Sequence, residues 1–324
     1  MLKLAFIGAG RISYSHAEAL SKIKNVSIVG VADVSEQAAK AFSEKYKCSF
    51  YTDYLTMVEK TKPDAVIIAT PHAYHAKQAV DCMKNKIHVL VEKPMCVSAR
   101  EAEEMINTSK KNSVKLMVGH THRFISENVV AKKLIEDREI GEVFMISDRI
   151  YGSGFYTGYP KWFGKKELSG GGIFMNNGPH AIDRVVWWFG ERPTKVSAKV
   201  GRFCFKDVDV EDNGVATLYF KKGIANIILT WSAPKAASCA TADIFGTEGM
   251  LRVATWSSVE LMKGEELKKI NYEKKDQFYE EDKAFIESVI NDTDPPVTGE
   301  DGMLTVKVIE KIYEASEREE VVSL

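Results

Sequence analysis

The first third of the chain carries five short, nearly unbroken apolar runs: Leu2–Ile7, Val26–Ala32, Ala65–Thr70, Ile87–Val91 and Lys115–Gly119. A strand with one wet face alternates apolar and polar positions; near-continuous runs of this length suit a parallel sheet buried on both faces. Between the runs the period changes. Ala76, Ala79, Val80 and Met83 recur at three- and four-residue steps, which is one face of a helix. Ser98 followed by Glu101 forms a capping box opening a helix that carries Ala102, Met105 and Ile106. Strand–helix alternation of this kind predicts βαβ units and a doubly wound parallel sheet.

After about residue 121 the texture differs. Val143–Ile150, Thr194–Val200, Val215–Phe220, Ile224–Trp231, Thr241–Phe245 and Ser258–Met262 have strand character, mostly without helices between them. Phe220-Lys-Lys-Gly-Ile224 reads as a hairpin turn. The pattern predicts a large, mainly antiparallel, open-faced sheet. Helices are expected around Val129–Asp137, Pro179–Phe189, Glu281–Ile290 and Leu304–Ser316. A chain of 324 residues exceeds what one hydrophobic core usually serves. The fold class is therefore α/β: a doubly wound domain over 1–121, then an α+β domain over 122–324 for substrate binding and oligomerisation.

Charge narrows the function. Forty-four Lys and Arg stand against 45 Asp and Glu, net −1, with no basic cluster longer than a pair, so the footprint of a nucleic-acid binder is absent. The longest apolar runs are strand-length and too short to span a bilayer. The first strand opens within four residues of the start, leaving no room for a signal peptide. Five scattered cysteines (Cys48, Cys82, Cys96, Cys204, Cys239) without a CxxC pair read as reduced thiols, which sets the expectation of a cytoplasmic protein.

Candidate chemistry begins at Phe6-Ile-Gly8-Ala-Gly10-Arg-Ile-Ser13, between the first strand and a helix. It is a GxGxxG dinucleotide motif in which Ser13 replaces the third glycine, a position that needs only a small side chain. Asp33 ends the second strand. A carboxylate there can accept both ribose hydroxyls of NAD and repels the 2′-phosphate of NADP; it can equally cap the helix that follows.

Further motifs follow. Ala69-Thr-Pro-His-Ala-Tyr-His75 and Ile87-His-Val-Leu-Val-Glu-Lys-Pro94 resemble the TPNxxH and HVxxEKP elements of the glucose–fructose oxidoreductase/inositol dehydrogenase (Gfo/Idh/MocA) family. The likeness continues through Arg123-Phe124, Ile140-Gly-Glu-Val143, Gly170–Asp183 (GGGIFMNNGPHAID), Phe245–Gly249 and Pro295–Asp301. The resemblance implies a Rossmann domain, an open-faced sheet domain used in homo-dimer or homo-tetramer contacts, and a nicotinamide between them. It places NAD, in preference to NADP, against Gly8, Gly10, Arg11, Ile12, Asp33, Thr70, Pro71, His72, His75, Glu92 and Lys93. It also implies a lysine–histidine active site, here Lys93 and His180. The family commonly carries an aspartate four residues before that histidine; this chain has Asn176, and an amide cannot accept a proton.

Oxidising a secondary alcohol needs a base within hydrogen-bond reach of the hydroxyl. His180 has the natural pKa for that task, and Lys93 stands where doubly wound folds bind ligands, able to donate to the substrate oxygen. Asn176 reads as a substrate-positioning residue, with Pro179 either kinking the helix between it and His180 or opening a new one. Asp183 either orients His180 or makes a surface ion pair. Arg123 either reaches the cofactor or a substrate hydroxyl or forms a structural salt bridge. His120 and His122 alternate along an expected strand without a convincing third ligand, so no metal is expected. Trp187, Trp188 and Phe189 are expected in an interdomain core, and Glu211 and Asp212 in a turn. Tyr156, Lys161 and Trp162 lie in a Gly/aromatic-rich stretch suited to a sugar. The leading reading is an oxidoreductase moving a hydride between a sugar or polyol hydroxyl and NAD. The alternatives are a glycosidase that oxidises its sugar transiently through NAD and a non-catalytic dinucleotide-binding regulator.

Overall fold

A computed structural model describes residues 1–154 and 158–324. Its chain begins with β1 (Leu2–Ile7), α1 (Arg11–Leu20), β2 (Val26–Ala32), α2 (Glu36–Tyr46), β3 (Ser49–Tyr51) and α3 (Tyr54–Thr61). It continues with β4 (Ala65–Ile68), α4 (His75–Lys84), β5 (His88–Glu92), α5 (Ala99–Asn112) and β6 (Leu116–Gly119). The six strands form a parallel sheet in the order β3-β2-β1-β4-β5-β6. Leu4–Phe6 and Ala65–Ile68 are fully buried, as a sheet covered on both faces requires. Ser98 accepts from the Glu101 amide and Glu101 reaches back to Val97 N–H, close to the expected box. The short β3 escapes a reading by pattern because Ser49-Phe-Tyr51 is only three residues and mostly exposed.

The chain then forms α6 (Ser126–Glu136), β7 (Val143–Tyr151), two single-turn helices, α7 (Lys166–Ser169) and α8 (Ile173–Asn176), and α9 (Gly178–Phe189). Strands β8 (Lys195–Gly201), β9 (Asn213–Tyr219), β10 (Ile224–Thr230), β11 (Cys239–Gly246), β12 (Gly249–Ala254), β13 (Ser258–Lys263) and β14 (Glu266–Lys269) follow. After them come α10 (Gln277–Ile290), α11 (Gly299–Arg318) and β15 (Val322–Ser323). The second sheet has nine strands, ordered β14-β13-β12-β11-β7-β10-β9-β8-β15. Every neighbouring pair is antiparallel except β7 with β10. Ile146 and Ile150 of β7 and Ala225, Ile227 and Leu229 of β10 share a core with Ile182, Val185 and Trp188 of α9. Their alternates Met145 and Ile228, and Val215 of β9, remain partly or largely exposed, so one face of the sheet is packed and the other open.

Two compact units result: residues 1–120 with 276–303, and residues 121–275 with 304–324. The segment 276–303, expected from sequence within the second domain, returns to the first unit. Met117 of β6 bridges Thr298, and Phe278 of α10 meets the His16 ring of α1 edge-on at 5.1 Å. Trp188, expected between domains, belongs to the core of the second unit, and Phe189 stacks on Phe220 within that unit at 4.1 Å. No helix among the described residues is long and apolar enough to cross a membrane.

Candidate active site

In the first unit the strand order reverses between β1 and β4, the switch point where open α/β sheets hold ligands. Gly8 lies in that crevice with φ +100°, and a Cβ on it would stand 2.6 Å from the Ala69 carbonyl oxygen. Only glycine meets both demands. Gly10 begins α1 without a side-chain cap, nothing lies within 4 Å of where its Cβ would be, and the first amides of the helix are left for a ligand. Ser13, in place of the third glycine, is buried and donates its hydroxyl to the Gly8 carbonyl at 2.8 Å. Asp33 accepts from Ala9 N–H and Ser35 N–H, both at 2.8 Å, so it ties the end of β2 to the glycine turn. Its alternative role as a helix cap falls to Ser35, whose side chain caps α2. Arg11 is exposed and Ile12, Thr70 and Pro71 are half-buried at the same end of the sheet, with His72 buried beside them.

Two expected cofactor contacts also make internal bonds. His75 is buried, with Nδ1 at 2.8 Å from the Pro94 carbonyl and Nε2 at 2.8 Å from the Thr70 carbonyl, so its ring clamps the β4 and β5 ends together. Burial holds its pKa below the ordinary value, against those two carbonyls. Glu92 turns inward: one carboxylate oxygen lies 3.2 Å from His16 Nε2 and the other accepts Lys93 N–H at 3.0 Å. The far ring nitrogen of His16 is 2.7 Å from Asp282 of α10. His16 and Asp282 are fully buried. Burial alone would lower the pKa of His16; the charge and hydrogen bond of Asp282, then those of Glu92, outweigh it and hold the imidazole well above its usual value. Lys93 follows β5 directly. Burial pushes its pKa below that of an ordinary lysine, and Glu92 opposes the shift. His16, Glu281 and Asp282 place ligand atoms within 4.8 Å of one another, but the 2.7 Å separation of His16 and Asp282 is that of a hydrogen bond with a proton between them.

The second unit holds the other candidates. Gly172 precedes α8, and a Cβ there would meet the Glu211 carbonyl oxygen at 1.8 Å. The Glu211 carboxylate accepts from Gly172 N–H, Phe174 N–H and the Tyr313 hydroxyl at 2.8, 3.0 and 2.8 Å. Burial raises its pKa against those donors. Glu211 thus braces the glycine turn, more than its sequence position implies. Asp212 is the expected turn residue, accepting from three successive amides, Phe203 to Phe205. Asn176 ends α8, and Pro179 stands in the first turn of the new helix α9, so Asn176 and His180 do not share one continuous helix. Asn176 is buried and His180 half-buried.

Behind His180 lies a layer that the sequence did not reveal. His122 stacks on His180 with ring centres 4.0 Å apart and an interplanar angle of 18°. It sits in a 3-10 turn over Thr121–Phe124 and not on a strand with His120. Arg184 is fully buried and holds Asp148 through two bonds of 2.5 and 2.7 Å; it also donates to Thr255 at 3.0 Å and stands 3.3 Å from His122 Nδ1. A guanidinium only donates, so that nitrogen accepts and the ring hydrogen lies on Nε2. Arg123 makes the structural salt bridge: it grips buried Asp183 bidentately at 2.8 and 2.6 Å. Lys161 is exposed, Trp162 packs edge-on to Phe163 at 4.2 Å, and Tyr156 lies outside the described residues.

Residues 2–120 match the family model described as "Oxidoreductase family, NAD-binding Rossmann fold", and residues 129–252 match "GFO/IDH/MocA C-terminal domain". The chain is 27% identical over 311 residues to an uncharacterized oxidoreductase, YrbE, of Bacillus subtilis, covering 92% of this chain and 89% of that protein. It is 27% identical to the myo-inositol 2-dehydrogenase of Thermotoga maritima over 320 residues, covering 94% of this chain and 93% of the relative. Among solved structures, GenD2 from gentamicin A biosynthesis in complex with NAD superposes with a TM-score of 0.90 at 24% identity, covering 100% of this chain and 96% of that one.

Proposed function

We propose, from the premise that this chain belongs to the Gfo/Idh/MocA oxidoreductase family, that it is a dehydrogenase of sugar or polyol secondary hydroxyls that uses NAD in preference to NADP. The observation that carries the reading is Lys93 at the carboxyl end of β5, on the sheet whose β1–β4 crevice holds the Gly8–Gly10 turn and Asp33. The turn fits a dinucleotide because Gly10 leaves room above uncapped helix amides, and Asp33 sits within the same turn with an acidic group for ribose hydroxyls. When bound, NAD supplies the acceptor for the hydride leaving the substrate carbon. Lys93 donates from its ammonium to the hydroxyl oxygen and stabilises charge developing there. His180 accepts the hydroxyl proton. Asn176 positions the substrate by hydrogen bonds, and Lys161 and Trp162 are its outer wall, with Tyr156 a further member by sequence. Relatives matched along nearly their whole length carry oxidoreductase names, which sets the glycosidase alternative aside; the presence of both Lys93 and His180 argues against a silent regulator.

The test is NADH formation across cyclitols, hexoses, sugar acids and nucleotide sugars. Turnover with none of them, or turnover of a glycoside without net NADH, defeats the reading. The half-exposed face of the nine-stranded sheet, with Met145, Val215 and Ile228, is proposed as a homo-oligomer contact. Light scattering should give a dimer or tetramer at micromolar concentration, and a monomer refutes it.

A further inference from the structure

Lys93 has a buried support that no motif announces. Reading inward from its backbone, the chain of contacts runs from Lys93 N–H to Glu92 at 3.0 Å, from Glu92 to His16 at 3.2 Å, and from His16 to Asp282 at 2.7 Å. It joins the end of β5 to α1 and to α10, and Asp282 lies 266 positions from His16 in sequence. All members belong to the first unit. The ionisable groups facing it are Glu92 and Lys93 from β5, His75 from α4, Glu281 and Asp282 from α10, and Asp276 at the α10 cap, itself paired with Lys22. Carboxylates outnumber cations around one imidazole, so a buried positive ring is the arrangement that compensates them.

We propose that His16 and Asp282 are positioning residues for Lys93: Asp282 keeps His16 an imidazolium, and the imidazolium shares the negative charge of Glu92, so that Glu92 grips the neighbouring ammonium only loosely. Burial would push the Glu92 carboxyl up, yet its hydrogen bond and charge contact with His16, then the Lys93 charge, hold it below the ordinary value. The sign for Lys93 follows. Without the imidazolium, the whole Glu92 charge acts on the Lys93 amine and favours its protonated form, so loss of either His16 or Asp282 moves Lys93 titration to higher pH. The catalytic meaning of that shift rests on the function proposed above; the charge arrangement does not.

Two measurements on the full-length protein decide the matter without any substrate. With histidine labelled in its ring nitrogens, NMR should show His16, identified by the signal missing in His16→Gln, as an imidazolium at pH 7 and above. A neutral His16 ring at pH 7 overturns the proposal; should His16→Gln not fold, a spectrum of the unmodified protein with no imidazolium ring at pH 8 overturns it equally. The second is competitive acylation of Lys93 with acetic anhydride across pH, read by mass spectrometry of its peptide. In His16→Gln the labelling midpoint should rise by about one pH unit, typical of one altered charge contact; in the near-isosteric Asp282→Asn, which removes the Asp282 charge together with that of the nearer imidazolium, it should rise by less. A midpoint that stays put or falls overturns the coupling, and a structural role alone would lower only the melting temperature. If an oxidised sugar is found, the alkaline limb of kcat should move upward in the same variants. Failure to find one defeats the functional reading and leaves both protein measurements standing.

Discussion

The two units bury charge behind their candidate catalytic side chains in opposite senses. Behind Lys93 the first unit sets carboxylates: Glu92, Glu281 and Asp282 around a single imidazole. Behind His180 the second sets guanidinium groups: Arg184 on Asp148 and beside His122, and Arg123 on Asp183. Acid-rich surroundings hold His16 positive, whereas a donor-only guanidinium beside Nδ1 requires His122 to accept there. The same residue type is thus charged in one unit and an acceptor in the other, through its neighbours alone. The lesson is that a histidine's role in this chain is written in what lies behind it and not in its own position.

The largest effect should come from breaking the guanidinium side. Asp148→Ala leaves Arg184 buried without its bidentate partner, and removing one member of a buried pair costs about 3–5 kcal/mol. Denaturant unfolding of the variant measures this. A loss below about 1 kcal/mol, the range of a surface pair, would mean the second unit is not organised around that charge and would break the comparison. Burial raises the Asp148 carboxyl despite the opposing charge and hydrogen bonds of Arg184, so its own titration favours the folded state at acid pH, and that contribution falls as pH rises through the raised value.

Next come the catalytic groups. His180→Ala and Lys93→Ala should each lower turnover by roughly a hundredfold or more, the usual scale of lost acid–base or oxyanion help. NADH binding, followed by fluorescence titration, should survive in His180→Ala because that residue belongs to the second unit. Near-normal kcat in His180→Ala would move the base to Lys93 or to water.

How much of this was legible follows from what a linear pattern can carry. Strands β1, β2, β4, β5 and β6 were visible because two-sided burial demands unbroken apolar runs, and Gly8 because the crossing at Ala69 admits no side chain. The return of 276–303 was not. Glu280-Glu281-Asp282 has the look of a solvated helix face, and nothing local shows that Glu281 and Asp282 are fully buried against another element. The one available signal was His16, a polar residue between the buried positions Ser13 and Ala17 of α1, which called for a partner. His75 and Glu92 show the same limit: a motif marks that a residue is needed, and only packing shows which interior groups its polar atoms also hold. Arg123 and Asp183 each left two options open, and their mutual contact spans 60 positions that no local pattern links.

A smaller effect concerns cofactor choice. Asp33 already spends one oxygen on Ala9 N–H and the other on Ser35 N–H, so its remaining lone pairs are what ribose would meet. Asp33→Ser removes the charge that repels a 2′-phosphate and should narrow the preference for NAD over NADP on the order of tenfold, the value of one hydrogen bond to a charged group. Tighter NADP binding by the unmodified protein would contradict this.

The smallest expected change tests the comparison at its finest point. In the second unit Asp148 and Asp183 are both engaged by arginines, and where relatives commonly carry an acid the chain has Asn176, a buried amide at the end of α8. An amide donates and accepts but does not take a proton, so Asn176 should contribute equally to binding substrate and transition state. Removing such a contact raises KM and leaves kcat nearly unchanged. Asn176→Ala should therefore raise KM by about three- to tenfold, the scale of one hydrogen bond, with kcat within about twofold. Asn176→Asp adds a negative charge on the side of the molecule where carboxylates are otherwise occupied. If it restores the family's acid, kcat is kept and its acid limb moves to higher pH, because a nearby carboxylate favours the protonated His180. A kcat loss in Asn176→Ala as large as that in His180→Ala would show that the amide acts in the transition state and not only in binding.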